Sequence, residues 1–283
     1  MIYVSSSCSS KNNIRESILE LINCGINNIE LSGGTEYYSN LEEDLINLQE
    51  TYNIKFLLHN YFPPPKEHFV LNLASNNNTI RDNSLKHIQK ALLLSEKLGA
   101  DKYGIHAGFL IDPDKNELGK KIDKKTLIPE ELGKSNFMKG LAQIKNTNRS
   151  TKLYVENNVL SEQNFKNYGC NPFMLTHKDA FLELKKNIEF NLLLDVAHLK
   201  VSCKSMGLNF IHELKFLSSQ TDYLHISDND GLSDSNLEIK KNSELFNVLQ
   251  ECDLRNKTIS LEIYSGLNRI VESIELIRPL VEE

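Results

Sequence analysis

The segment NLLLDV (191–196) decides the fold, because it is a short apolar run that carries an acidic residue near its end, Asp195, and seven other segments have a similar form. Runs of this kind are typical of parallel strands that are buried on both faces. The other seven, in chain order, are IYVSS (2–6), NIEL (28–31), IKFLLHN (54–60), KYGIHA (102–107), KLYVEN (152–157), YLHIS (223–227) and ISLEIY (259–264). We predict a strand at each.

Longer amphipathic stretches separate these strands. IRESILELINCG (14–25) and SLKHIQKALLLSEKLGA (84–100) have apolar residues at helical spacing and contain a glycine at or near their ends. We predict one helix after the fifth strand, HKDAFLELKK (177–186), and one after the sixth, NFIHELKFLSSQ (209–220). This alternation predicts right-handed βαβ units that close into a single (β/α)₈ TIM barrel spanning residues 1–283. An open doubly wound sheet is the alternative, but no GxGxxG follows the first strand.

The composition argues against several classes of protein. The net charge is -6 and no basic tract marks a surface for nucleic acid, so nucleic acid is not the expected partner. The five cysteines are odd in number and form no CxxC pair, which argues against a disulfide framework. No apolar run approaches the roughly 18 residues that a membrane span needs. We therefore expect a cytoplasmic protein that acts on a small molecule and not on a membrane.

Two segments that follow strand ends are longer than ordinary loops, at 60–78 and 110–134. Both follow the carboxyl ends of strands, which is the face where a barrel of this type carries its catalytic residues. We expect both loops to form pocket walls. Lys66, in the first loop, is a candidate contact for an anionic group of the substrate.

Six consecutive strands, from the third to the eighth, carry an imidazole or a carboxylate near their carboxyl ends. These residues are His59, His106, Glu156, Asp195, His225 and Glu262. Any one alone could be a core histidine or a loop cap, but their shared position in the repeat predicts that they converge. Such ligands suit a divalent ion, whether Mn²⁺, Mg²⁺, Co²⁺ or Zn²⁺, and burying four of them without a cation would cost several kcal/mol. We predict one divalent metal ion here, held by Glu156, Asp195, His225 and Glu262.

The chain resembles the xylose-isomerase-like barrel superfamily, which includes sugar isomerases, sugar 3-epimerases, inosose dehydratases and the endonuclease IV type of apurinic-site nuclease. The resemblance covers essentially the whole chain and rests on LYVEN (153–157), LLLDVAHLK (192–200), LHISDNDG (224–231) and SLEIY (260–264). Epimerase-like members hold one metal ion by Glu, Asp, His and Glu, which match the four residues predicted above.

The resemblance also implies roles for individual residues. Glu156 and Glu262 match the acid–base pair, in which one glutamate removes a carbon-bound proton and the other returns it, through a metal-stabilised enediolate. His198 matches a histidine that contacts substrate, and we add Asn157 and Asp234 as candidate substrate-binding residues. We therefore expect an isomerase or epimerase of a small sugar or sugar phosphate, with a sugar or inosose dehydratase as a close alternative. An arginine found in some epimerases is Gly231 here, which argues against a free ketohexose.

The resemblance to endonuclease IV is clearest in HNYFPPPKEHFVLNLAS (59–75) and KLGADKYGIHAG (97–108). It implies a second metal ion, zinc, at His59 and His106 together with Glu156. The alternative function is thus a zinc-dependent phosphodiesterase that acts on abasic DNA. The third zinc site of those enzymes would use His198 and Asp234, but its last ligand position is Asn236, and an amide is a poor zinc ligand. Barrels of this group often pair through their rim loops, so a homodimer is a further expectation.

Overall fold

Eight parallel strands close into a barrel in which β1 to β8 pair in the order of the sequence. The structure is a computed structural model that describes residues 1–145 and 150–282. The strands are β1 (Ile2–Ser5), β2 (Asn28–Leu31), β3 (Lys55–His59), β4 (Lys102–His106), β5 (Lys152–Glu156), β6 (Asn191–Asp195), β7 (Tyr223–Ile226) and β8 (Thr258–Leu261). The predicted (β/α)₈ barrel is confirmed, and each predicted strand overlaps an observed one.

Helices on the outside of the barrel connect successive strands. They are α1 (Ile14–Asn23), α2 (Leu41–Tyr52), α3 (Asn78–Lys97), α4 (Glu130–Lys145), α5 (Glu162–Tyr168), α6 (Lys178–Asn187), α7 (Val196–Met206), α8 (Phe210–Ser218), α9 (Glu244–Leu249) and α10 (Leu267–Glu282). Within the two described ranges, none of these helices is both long and apolar enough to cross a bilayer.

The sequence did not predict α5 and α7. Helix α7 begins directly where β6 ends, because the Asp195 side chain caps it by accepting a hydrogen bond from the backbone N–H of His198. A strand that continues into a helix without a turn contains no glycine or proline to mark the boundary. Helix α5 has only seven residues, which is too short for a clear apolar period.

Alternate residues of each strand face the barrel axis, since successive side chains of a strand point to opposite faces. Near the amino ends, the inward residues form a separate buried cluster of Tyr3, Leu57, Tyr154, Leu193 and Tyr223. Two positions further along β3, β5, β6 and β7 come His59, Glu156, Asp195 and His225, which therefore face the axis one layer nearer the carboxyl ends. The main apolar core includes Val155, Leu194 and Leu224, on the other face of these strands.

The two long loops lie against each other at the carboxyl ends of the strands. The side-chain amide of Asn72, in the first loop, donates to the backbone carbonyls of Phe109 and Ile111, each at 3.0 Å. The second loop contributes to an apolar cluster of its own, made of Phe109, Ile111, Ile122, Leu160, Tyr168 and Phe173. Because α4 begins at Glu130, this loop is shorter than the predicted range of 110–134.

Candidate metal centre

The four predicted ligands of the first metal ion converge at the carboxyl end of the barrel. The Nδ1 atom of His225 lies 3.3 Å from Glu156 Oε1, 3.9 Å from Asp195 Oδ2 and 3.9 Å from Glu262 Oε2. Zinc binds nitrogen and oxygen ligands at about 2.1 Å, so ligand atoms of a tetrahedral site are about 3.4 Å apart. These three separations from His225 Nδ1 have the scale that a shared ion requires. The four predicted ligands are divided between two groups of described residues whose ligand atoms all lie within 4.8 Å of one another, Glu30–His59–His225–Glu262 and Glu156–Asp195–His198.

Two buried atoms at this point, His225 Nδ1 and Glu156 Oε1, lie 3.3 Å apart and make no hydrogen bond of good geometry with each other or with any other described group. Buried polar atoms are normally satisfied, because leaving one unpaired costs about 1–3 kcal/mol. Both atoms face the point where the carboxylates converge, and the donor set is one imidazole with three carboxylates. The residues present therefore fit a divalent cation.

The buried carboxyl group of Asp195 would also be stabilised in its ionised form by a nearby positive charge. Burial raises the pKa of its carboxyl to about 7, and repulsion from Glu156 and Asp234 adds to the effect of burial, against the attraction of His198. One oxygen, Oδ1, is committed to the cap of α7 at 2.7 Å from His198 N. The other oxygen is left to face the centre. A cation there would favour the ionised form that a ligand must have.

Glu30, on β2, orients His225 and was not predicted from the sequence. Its Oε2 atom accepts a hydrogen bond from His225 Nε2 at 3.0 Å and another from the hydroxyl of Tyr223. Because Glu30 holds the proton on Nε2, Nδ1 is the nitrogen that a bound cation would take as a ligand, and it lies beside the three carboxylates. Burial opposes a charge on His225, but Glu30 and Glu156 outweigh burial and hold its pKa well above the ordinary value. Metal-bound histidines characteristically donate their other N–H to such a carboxylate.

His59 and His106 lie where the second metal ion was predicted. Their Nε2 atoms are 2.7 Å and 2.8 Å from Glu156 Oε2, so one carboxylate oxygen lies between two imidazoles. Although burial opposes ionisation of Glu156, His106 and His59 hold its pKa well below the ordinary value. These three residues have the proximity that a shared metal ion needs. Glu156 is thus common to both candidate sites, with Oε1 facing one and Oε2 facing the other.

His198 and Asp234 form a third arm of the cluster. The Nε2 atom of His198 lies 3.2 Å from Asp234 Oδ2, and its Nδ1 atom lies 2.8 Å from the backbone carbonyl oxygen of Asn157. Asn236 is buried beside them, and its side-chain N–H donates to Asp234 Oδ2 at 3.5 Å. Its side-chain oxygen accepts a hydrogen bond from the Ser227 hydroxyl at 2.8 Å. The amide therefore supports Asp234 where the resemblance to the nucleases would place an additional ligand.

Two predicted substrate contacts stand apart from the rest. The side-chain amide of Asn157 accepts from Asp195 N–H at 2.7 Å and donates to the Asp195 carbonyl at 2.9 Å, so it positions β6. Lys66 is exposed, and its Nζ lies 5.1 Å from the centroid of the Tyr37 ring. The structure does not bring Lys66 into the cluster of the other candidate residues, and substrate contact by either residue stays a prediction.

Two cavities flank the cluster, and Tyr61 lines both. A cavity of about 440 Å³ lies toward β1 and β2, and its lining includes the polar side chains of Ser6, Ser7, Lys11, Thr35, His68 and Tyr264. A second cavity of about 210 Å³ lies toward β4 and β5, and its lining residues include His106 and Asp234. The long loops contribute residues to both cavities, as predicted.

Comparison with known proteins agrees with this architecture. Residues 20–280 match the sequence model of the family described as xylose isomerase-like TIM barrel. No curated protein sequence matches significantly. Among solved structures, a D-tagatose 3-epimerase-like protein is 19% identical, with a TM-score of 0.72 and coverage of 99% of this chain and 96% of the other.

Two further solved structures are named for different activities. A 3-keto-D-glucoside 4-epimerase from E. coli is 12% identical, with a TM-score of 0.67 and coverage of 99% of this chain and 98% of its own. Endonuclease IV from Thermus thermophilus is 14% identical, with a TM-score of 0.60 and coverage of 99% and 98%. At these identities the likeness shows the fold alone.

Proposed function

Because the chain belongs to the xylose isomerase-like TIM barrel family, we propose that it is a divalent-metal-dependent isomerase or epimerase of a small sugar or sugar phosphate. One observation carries the proposal. The unpartnered Nδ1 of His225 lies within 3.9 Å of oxygens from Glu156, Asp195 and Glu262. We propose these four residues as the ligands of the metal ion.

The proposed reaction moves a proton from the carbon beside a sugar carbonyl. A bound divalent ion would supply the Lewis acidity that makes this proton easier to remove. Glu156 and Glu262 are the proposed acid–base pair, because their Oε1 and Oε2 atoms border the same space around His225 Nδ1. His198, whose orientation is fixed by Asn157 and Asp234, is proposed to orient a substrate hydroxyl.

The hydroxyl groups that line the larger cavity, those of Ser6, Ser7 and Thr35, support a substrate that is rich in hydroxyl groups. The buried hydroxyl of Thr35 lines this cavity and has no hydrogen-bond partner. Tyr264, two residues beyond Glu262, places its hydroxyl 3.3 Å from Ser7 Oγ at the edge of the same cavity. Lys11 would add positive charge, and His68 a further hydrogen-bonding group, for a phosphate or another anionic group of the substrate.

Solvent exchange tests this proposal directly. Candidate sugars and sugar phosphates are incubated in D₂O with the protein and either Mn²⁺, Mg²⁺, Co²⁺ or Zn²⁺, and deuterium incorporation beside the carbonyl is followed by NMR. We expect exchange that stops on chelation. Glu156→Gln should slow exchange by at least about 100-fold, as general acid–base groups contribute about 10² to 10⁴. Glu162→Gln, on the exposed surface of α5, is the matched control.

The alternative of a zinc-dependent nuclease on abasic DNA rests on His59 and His106, which offer a second metal position on Glu156. The amide at Asn236 and the net charge of -6 argue against it. Metal analysis separates the two, with about one ion per chain for the isomerase and two or three zinc ions for the nuclease. Cleavage of abasic DNA without any sugar exchange would reject the isomerase. Elimination of water from the sugar would indicate the dehydratase alternative. The cytoplasmic location and the homodimer stay predictions.

A further inference from the structure

The segment that follows β7 folds into a short hairpin, residues 228–237, beside the candidate metal centre. Two backbone hydrogen bonds between Asp228 and Leu237, at 2.9 Å and 2.8 Å, join its ends. Asp234 lies on the returning arm, and its Oδ2 atom is 3.2 Å from His198 Nε2. The position of this hairpin therefore determines whether Asp234 reaches His198.

Hydrophobic burial contributes little to holding the hairpin in place. Its apolar side chains are those of Leu232 and Leu237, which are 53% and 40% exposed. The other residues of the hairpin are aspartate, asparagine, serine and glycine. Because apolar burial is the main force that fixes a segment on a protein, this hairpin must depend instead on polar contacts with its neighbours.

Helix α7, which carries His198, makes polar contacts with the outgoing arm of the hairpin. The backbone carbonyl of Ala197 accepts a hydrogen bond from the Asn229 side chain at 3.0 Å. Further along the helix, Lys204 Nζ donates to the backbone carbonyl oxygen of Asp230 at 2.9 Å. His198 and the hairpin therefore share one support, which is α7.

The contact at the base of the hairpin is an ion pair with the same helix. Lys200 Nζ lies 2.7 Å from Asp228 Oδ1, and both side chains are only 14% exposed. The same oxygen accepts a hydrogen bond from Asn229 N–H at 2.8 Å. Removing one partner of a largely buried ion pair leaves the other charge uncompensated, which is strongly unfavourable. We therefore expect that loss of Lys200 would displace Asp228 toward water.

We propose that Lys200 is a positioning residue for the contact between His198 and Asp234. Lys200 lies two residues after His198 on α7, and Asp228 begins the hairpin that carries Asp234. The helix and the hairpin thus meet both at the ion pair and at the candidate site, so fixing the first contact fixes the second. The use of His198 to orient a substrate hydroxyl rests on the proposed function, whereas its positioning by Lys200 can be measured without substrate.

Hydrogen exchange measures the first part of the proposal, the anchoring of the hairpin. In the full chain with Mg²⁺ present, Lys200→Met should make the amides of Asp228 and Leu237 exchange at least about 10-fold faster. Lys200→Arg keeps a positive charge for Asp228 and should restore most of the protection. Lys215→Met is the matched control, because it breaks a more exposed ion pair with Glu251 and should leave hairpin exchange unchanged.

The imidazole nitrogen shifts of His198 separate positioning from a purely structural role. The protein is labelled with ¹⁵N-histidine, and the His198 signals are assigned by their loss in His198→Gln. In Lys200→Met these signals should move toward those of His212, an exposed histidine of α8, and in Lys200→Arg they should stay near the wild-type values. Unchanged His198 signals in Lys200→Met would overturn the inference, even if the hairpin exchanged faster.

Asp228→Asn keeps the proposal testable if Lys200→Met does not fold. The amide retains an oxygen for the Asn229 N–H and removes only the negative charge, so exchange and the His198 signals should change in the same direction by a smaller amount. If neither changes in a folded Asp228→Asn variant, the ion pair has no positioning role. A failure of every sugar to exchange in D₂O would count against the proposed function alone, because neither of these measurements uses substrate.

Discussion

Replacing Glu30 with glutamine would remove the negative charge beside His225 Nε2 and keep an oxygen that can accept the hydrogen bond from Nε2. Glu30 is fully buried, and its Oε2 atom takes hydrogen bonds from both His225 Nε2 and the Tyr223 hydroxyl. The glutamine oxygen should therefore occupy the Oε2 position, since the amide nitrogen would oppose two donors there. We expect the imidazole to stay in place and to become a weaker base at Nδ1.

The size of the effect can be bounded. Loss of an outer partner of a metal-bound histidine typically lowers metal affinity by about 10- to 100-fold, or roughly 1.4–2.7 kcal/mol. The glutamine also places an N–H₂ group where Glu30 Oε1 has no partner. An unsatisfied buried donor costs about 1–3 kcal/mol of folding free energy, so Glu30→Gln should be less stable as well as a weaker metal binder.

Competition with a chromophoric chelator measures zinc affinity, and urea unfolding of the chelated protein measures stability on the same samples. Tyr223→Phe is the matched comparison, because it removes one hydrogen bond to Glu30 and leaves the carboxylate on His225; its zinc affinity should fall less. A folded Glu30→Gln variant with wild-type affinity would refute the reasoning. A loss far beyond 100-fold would make Glu30 itself a ligand, since its carboxylate also lies within reach of His59, His225 and Glu262.

Three other variants have defined outcomes. In Gly104→Ala the new Cβ would lie 3.0 Å from the ring of His59 and closer still to the Leu193 side chain. Urea unfolding should therefore show a loss of about 1–3 kcal/mol in the free energy of unfolding. An unchanged midpoint would mean that the barrel interior is packed more loosely than described. Burial lowers the pKa of His87 to about 4, so its neutral form stabilises the fold above the ordinary pKa of 6.5, and this stability is lost as the pH falls toward 4. Between about pH 7.5 and pH 5, the wild type should therefore lose about 2 kcal/mol more than His87→Gln in urea unfolding, and equal losses would contradict the assignment. Asn236→His should add one zinc ion per chain by elemental analysis, and its backbone φ of 47° is one that asparagine and histidine tolerate better than most residues. Asn256→His, at a φ of 60° on the surface, is the control and should add none. Equal zinc contents of the two variants would show that Asn236 does not occupy a ligand position.

The sequence predicted the barrel well because each strand carries its own signal. The runs at 191–196 and 152–157 are mainly apolar whichever neighbours they pair with, and the chain between them is long enough for a helical crossover. The strand ends were equally readable, since Glu156, Asp195 and His225 each occupy the same place in a repeated unit. Register then brings Asp195 opposite His225 and His106 opposite Glu156, as the convergence of strand ends requires.

The boundaries at the ends of elements were harder to predict. Glu262 lies just beyond β8, although the predicted strand continued to residue 264. Asp195 belongs at once to the end of β6, the cap of α7 and the candidate metal centre. A residue with three roles carries no separate sequence signal for each, so the pattern that identified the ligand did not identify the helix that it begins.

Glu30 was missed for a different reason, which concerns the closure of the barrel. Its only signal is a carboxylate in the middle of a four-residue strand, between Ile29 and Leu31, which face the other way. Its partner His225 is 195 residues away, on a strand separated from β2 by β8 and β1. Pairing of neighbouring strands does not predict this contact, because it crosses the interior and exists only once the sheet has closed. An inward-facing charge in one strand of a barrel therefore needs a partner among the inward residues of the other strands, and a strand-end histidine with a free second nitrogen is the partner to test first.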